Sequence, residues 1–214
     1  MSAPWIVASL QVGQRETLNV GRRQVTSGIR KRPVEGPLEI QSLGVSGDAV
    51  CDTRHHGGPD QAVYVYVESD YRFWERQYRR PFEPGEFGEN ITLSGGDDRP
   101  WMIGDQLQVG SARLEVTAPR IPCGLFESHM GIKGFTAAFA KANRSGFYCR
   151  VLTPGQVQVG DVAQLTPSDF QLSVQSLFLA NYASQSKEAL ESYLEAPIDQ
   201  RTREKMHKAL KALK

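Results

Sequence analysis

From Pro4 to about Leu165 the apolar residues come in short runs that glycine repeatedly cuts. The clearest case is "MIGDQLQVGSARLEVTAP", residues 102–119, where two alternating segments flank Gly110-Ser111 and predict a β-hairpin. "QAVYVYV" alternates with period two, with Val63, Val65 and Val67 on one face and Tyr64 and Tyr66 on the other. "WIVASLQVG" and "LNVGRRQV" predict an opening hairpin. "PLEIQSLGVSGDAV" is broken by Gly44 and Gly47, and "GQVQVGDVAQL" reads as two short strands around Gly160-Asp161. Short strands leave exposed edges unless their sheet closes, so the pattern predicts a closed or nearly closed β-barrel.

Two helices interrupt this barrel. "SDYRFWERQYRR" places Tyr71, Trp74 and Tyr78 on one face and ends at Pro81. "GIKGFTAAFAKAN" aligns Ile132, Phe135, Phe139 and Ala142, and both aromatic faces read as core. The composition changes after Thr166. Pro167 and a Ser168–Gln171 capping box open a helix with Phe170, Val174 and Leu177 on one side. "SKEALESYLEAP" stops at Pro197, and "DQRTREKMHKALKALK" aligns Met206, Leu210 and Leu213. The chain therefore divides into a mainly β domain, 1–166, and a small three-helix bundle, 167–214. The bundle is too small to stand alone and is expected to dock on the barrel or on a second subunit. Its last helix has a basic face suited to an acidic partner.

Of 214 residues, 40% are hydrophobic and 23% charged, enough for a real core. A net charge of +1 gives no overall bias toward nucleic acid or a membrane surface. No apolar run is long enough to span a bilayer, and the start lacks the basic region of a signal peptide. Three cysteines without regular spacing argue against a disulfide framework and fit a reducing cytoplasm.

"TAPRIPCGLFE" holds Cys123 between Pro122 and Gly124, with Arg120 close by. A cation beside a thiol on a stiff loop favours thiolate, the form that ligates metals and attacks electrophiles. Cys51 lies in a polar loop, and Cys149, in "GFYCRV", reads as an apolar filler. His55 and His56 precede Gly57-Gly58-Pro59, a tight turn, and neighbours on extended backbone point opposite ways, so at most one faces a site. Ser27, Gly28 and Lys31 in "TSGIRKRPVEG" could hold a phosphate by backbone N–H groups and charge. No Cys-x-x-Cys pair, His-Glu-x-x-His helix or Gly-x-Ser-x-Gly elbow occurs, which weighs against zinc and serine-hydrolase chemistry. No nucleotide, flavin or haem motif occurs either.

In order along the chain, "TSGIRKRPVEG", "GVSGDAVCDTRHHGGPDQAVYVYVESDYRFW", "FGENIT", "GDQLQVG", "LEVTAPRIPC" and "GFYCRVLTPGQVQVGD" resemble the MOSC domain, named for the C-terminal part of molybdenum cofactor sulfurase. Their spacing is similar to the stand-alone bacterial YiiM-type branch, which also carries a C-terminal three-helix unit. The resemblance covers nearly the whole chain. It implies a MOSC-type β-barrel that binds the molybdenum cofactor, a molybdopterin whose phosphate needs donors and positive charge. It assigns Cys123 as the molybdenum ligand, His56 rather than His55 as the histidine of "HGGPD", and Ser27, Gly28 and Lys31 as the cofactor-binding turn. Gly57, Asn90 of "FGEN" and Arg120 complete the cofactor-binding set, and Cys123, His56 and Arg120 form the catalytic set. The family often has lysine two residues after the cysteine; Leu125 stands there instead.

The activity implied is molybdenum-dependent reduction of N-hydroxylated compounds such as N-hydroxylated nucleobases, a detoxifying reaction. It would be served by a separate, flavin-containing electron-transfer protein. The resemblance also implies a homodimer, with no nucleic-acid or membrane partner. A cofactor carrier, a sulfur carrier with a persulfide on Cys123, and a binding module remain the alternatives.

Overall fold

The computed structural model describes residues 3–54, 56–96 and 99–213. The strands are β1 (Trp5–Gly13), β2 (Glu16–Val20), β3 (Arg23–Ser27), β4 (Lys31–Pro33), β5 (Leu38–Gln41), β6 (Gly44–Val45), β7 (Val63–Val67), β8 (Ile91–Gly95), β9 (Gln106–Val109), β10 (Ala112–Pro119), β11 (Phe147–Thr153), β12 (Gly155–Val157) and β13 (Val162–Thr166). The helices are α1 (Glu68–Tyr78), α2 (Gly124–Met130), α3 (Phe135–Ala142), α4 (Val174–Leu179), α5 (Lys187–Glu195) and α6 (Gln200–Ala212).

Seven strands in the order β13-β9-β10-β11-β7-β8-β1 close on themselves where β1 returns to β13, and β4 hangs on the far end of β1. The predicted barrel is therefore closed, with the edges paired away. The β9–β10 hairpin forms as read, with Val109 opposite Ala112 across the Gly110-Ser111 turn. The opening hairpin does not. β1 pairs with β13, β8 and β4, while "LNVGRRQV" folds on itself as the β2–β3 ribbon. Likewise the strands flanking Gly160 do not pair together, because β12 joins β5 and β13 joins the barrel.

The alternation in β7 divides two cores. Val63, Val65 and Val67 face the barrel interior with Leu10, Ile91, Leu93 and Leu114. Tyr64 and Tyr66 face out, into an aromatic layer with Trp74, Phe87, Phe126, Phe135 and Phe139. Each fully buried aliphatic side chain contributes about 1.5–3 kcal/mol relative to exposure. In the outer layer Trp74 stacks 5.8 Å from Phe139, and its indole N–H donates to the Tyr66 hydroxyl at 2.7 Å, so no polar atom of the ring is left unpaired.

α1 runs where its aromatic spacing places it and ends at Arg79 in left-handed conformation, before Pro81. α3 begins only at Phe135, because Gly134 has φ 78°, a conformation outside the helix. The Ser168–Gln171 box is not a helix start. The Ser168 hydroxyl donates to the Ile103 carbonyl at 2.7 Å, and the cap of α4 is Ser173, whose hydroxyl accepts from Ser176 N–H at 3.0 Å. Phe170 is accordingly 39% exposed. Leu172, Val174, Leu177, Leu190, Ile198 and Met206 join the same apolar cluster as the barrel interior, so the C-terminal helices pack on the barrel. No helix of the described residues is long and apolar enough to cross a membrane.

Candidate functional site

At one end of the barrel, five segments meet around a cleft of about 420 Å³. That volume is in the range of small-molecule and cofactor pockets. All eight residues assigned from the sequence, Ser27, Gly28, Lys31, His56, Gly57, Asn90, Arg120 and Cys123, line it. His55 lies outside the described residues.

Ser27 closes β3, and its hydroxyl accepts from Ile29 N–H at 3.1 Å, shaping the turn. At Gly28 the chain passes so near the next loop that a Cβ would lie 1.9 Å from the Ala49 carbonyl oxygen. Gly57 has φ 67°, and a Cβ there would come 2.8 Å from Val50 Cγ1. These two glycines let the loops that wall the cleft approach one another.

Lys31 opens β4 and forms an ion pair with Asp48, both side chains nearly inaccessible. Burial pulls the Lys31 ammonium below its ordinary range, and the Asp48 charge opposes that. Asp48 also accepts from Gly13 N–H at 2.7 Å and from the Asn90 amide at 3.0 Å. Asn90 donates further to the Gln11 carbonyl at 3.3 Å and accepts from Tyr64 N–H at 3.2 Å. Asn90 is thus a clasp between β1, β7 and the Asp48 loop, and the positive charge of Lys31 is already answered within the protein.

Arg120 differs. It is 4% exposed and follows directly on β10. Its guanidinium stacks 3.7 Å over Phe126, within a cation–π distance. Among the described residues it forms no ion pair, and its Nη1 is buried with no hydrogen-bond partner. A buried cation without a counter-charge costs several kcal/mol, so the cleft is built to receive an anion or strong acceptor.

Cys123 is half-buried, in extended backbone, immediately before α2. Cys149 is fully buried in β11 and outside the cleft, its thiol pushed well up by burial, as suits a core filler. Cys51 is on the cleft wall with Cys123, which its polar loop sequence did not signal. Among the other wall residues that were missed are Asp48, Gln61, Tyr64 and Tyr148. Burial raises the phenol of Tyr148, with Arg120 opposing, so the ring presents a protonated hydroxyl at neutral pH. Tyr64 packs on it with ring centroids 4.9 Å apart. Leu125 lines the cleft where the family's lysine is expected, giving that wall an apolar side chain. Among the described residues no three His, Cys, Asp or Glu side chains gather as a metal site. Cys51 and Cys123 are the two thiols on the cleft wall that could give a metal a sulfur donor.

Residues 52–164 match the sequence model of the MOSC domain. The chain is 34% identical to the uncharacterized protein YflK of Bacillus subtilis, over 82% of this chain and 80% of that one. It is 30% identical to a protein of Gibberella moniliformis named Reductase, over 76% of this chain but 29% of that one. The crystal structure of YiiM from Geobacillus stearothermophilus superposes with a TM-score of 0.80 at 28% identity, covering 97% of this chain and all of the other. The match begins at Asp52, after Ser27, Gly28, Lys31 and Asp48, and the fold brings that earlier turn to the same cleft. By sequence, barrel closure and helix placement together, the chain belongs to the MOSC domain family.

Proposed function

We propose that this protein is a molybdenum-dependent reductase of N-hydroxylated compounds, with N-hydroxylated nucleobases as one substrate class. The observation that carries the reading is the pairing, in one cleft, of a half-buried thiol with a buried cation that has no counter-charge among the described residues. The residues fit molybdopterin: a soft sulfur donor for the metal, and an unanswered guanidinium for an anionic group. Membership of the MOSC family and the name of the fungal relative support the oxidoreductase class.

Cys123 would supply the protein's thiolate to the metal. Arg120 would anchor the cofactor's phosphate or another acceptor, with backbone N–H groups of the Gly28 turn beside it. Lys31 reaches that anion only by sharing its charge with Asp48. When bound, the cofactor supplies a metal that cycles by two electrons, which suits removal of oxygen from nitrogen. The overall change is R–NHOH plus two electrons and two protons to R–NH₂ and water. His56 and the Tyr148 hydroxyl border the cleft and would orient the N–OH group and pass it protons. The electrons come from a separate, flavin-containing protein, since the chain carries no second redox motif.

The test is expression in a host that makes the cofactor, analysis of bound molybdenum and pterin, and turnover of an N-hydroxylated purine with a chemical reductant. The reading predicts molybdenum bound by the purified protein, turnover with the chemical reductant, and none with NADPH alone. Molybdenum without turnover would make the protein a carrier. A persulfide on Cys123 without molybdenum would make it a sulfur carrier.

A further inference from the structure

Arg201 lies in the first turn of α6, far along the chain from the cleft loops. Its guanidinium nevertheless donates five hydrogen bonds into the segment that carries His56. Nη2 reaches the carbonyls of Thr53 at 3.1 Å and His56 at 3.3 Å. Nε reaches the Arg54 carbonyl at 3.2 Å. Nη1 reaches the Gly57 carbonyl at 2.9 Å and Gln61 Oε1 at 3.2 Å. Thr53, Arg54, His56 and Gly57 form an irregular loop whose carbonyls have no strand to pair with, and one planar fork satisfies four of them. The helix start is itself fixed to the barrel. Asp199 N–H donates to the Thr117 carbonyl at 3.2 Å, and Gln200 N–H to Asp60 Oδ2 at 2.9 Å.

The same helix forms the wall of a second, smaller cavity of about 190 Å³. Thr202 and Lys205 line it from one side, and His56, Gln61 and Tyr148 from the other. Those last three residues also line the main cleft, so the small cavity borders the cleft at His56 and Tyr148.

We propose that Arg201 is a positioning residue for the site: it sets the His56–Gly57 wall of the cleft, and α6 thereby shapes where a substrate sits beside His56. The C-terminal helices then belong to the functional site while contributing no metal ligand. The part of the inference that concerns substrate rests on the reductase reading; the part that concerns the loop does not.

The experiment compares Arg201→Ala with Arg203→Ala in the full chain. Arg203 is the control because, among the described residues, its side chain bonds only within the helical unit, to the carbonyls of Leu194 at 2.7 Å and Ala196 at 2.8 Å. Hydrogen exchange of the cofactor-free protein reads the loop directly. Arg201→Ala should speed exchange of the Arg54 and His56 amides, both of which donate to Asp52, by roughly tenfold or more, while the α4 and β10 amides stay protected. Arg203→Ala should loosen the helices and leave the loop protected. Equal loosening of the loop in both variants, or none in Arg201→Ala, overturns the positioning role. In the cofactor-loaded enzyme Arg201→Ala should lower kcat/KM for an N-hydroxylated purine about tenfold, because His56 both orients the N–OH group and passes it protons. Unchanged kcat/KM with a mobile loop overturns the substrate part alone.

Discussion

Replacing Arg120 by methionine should stabilise the cofactor-free protein while abolishing its ability to hold the cofactor. The guanidinium is 4% exposed, and its Nη1 has no partner among the described residues. Removing a charge from water costs several kcal/mol, and the stacking on Phe126 at 3.7 Å returns only about 0.5–2 kcal/mol. Methionine fills a comparable volume without the charge, so a gain of about 1–3 kcal/mol is expected. For a chain of this size that is a rise in Tm of roughly 2–12 °C. The assay is thermal and urea unfolding of cofactor-free Arg120→Met and wild type, with molybdenum and pterin analysis of both proteins made in a cofactor-producing host. Greater stability with the cofactor lost is the signature of a residue kept for a ligand. A loss of stability of about 2 kcal/mol or more would show that Arg120 holds the fold, and full cofactor retention would refute its anchoring role.

At Gly28, alanine would drive a Cβ into the Ala49 carbonyl, so Gly28→Ala should cost roughly 1–3 kcal/mol and weaken cofactor retention; unfolding curves and metal content check both. Glu89 is fully buried, and burial holds its carboxyl above the ordinary range despite hydrogen bonds from Tyr71, Gly85 and Thr92. A raised folded value means stability present at low pH and lost as pH climbs from the ordinary carboxylate range through that raised value, so Glu89→Gln should flatten that decline. Parallel pH profiles for the two proteins in urea unfolding would contradict it.

The elements legible in the sequence were those set by local pattern. β7 and the β9–β10 hairpin follow from period-two alternation and a Gly-Ser turn, and α1 from its aromatic spacing. What failed was pairing between distant segments. Nothing near Trp5 signals that its partner is Ala163, because closing the barrel depends on the whole circuit of strands. α2 went unread because Cys123 supplies no side-chain cap and glycine opens the helix, so the usual start signals are missing. The eight assigned site residues converge because the family motifs carry them, but their roles were not all visible. Asp48 answers Lys31 from 17 positions away, which turns an expected phosphate donor into half of an internal pair. Arg201 reaches Arg54 across 147 positions, and only the docked helix shows it.

The central claim is that Cys123 gives its sulfur to molybdenum. The direct measurement is the molybdenum content of Cys123→Ser, set beside wild type and Cys149→Ser, each purified from a host that makes the cofactor. Serine keeps the size but offers a harder, far less acidic ligand. The account predicts that Cys123→Ser is folded, with an unfolding midpoint lowered only by the missing ligand, and that it has lost both molybdenum and turnover. Cys149→Ser should keep its molybdenum while losing about 1–3 kcal/mol of stability to a buried hydroxyl. Cys123→Ser with wild-type molybdenum and wild-type turnover would contradict the account.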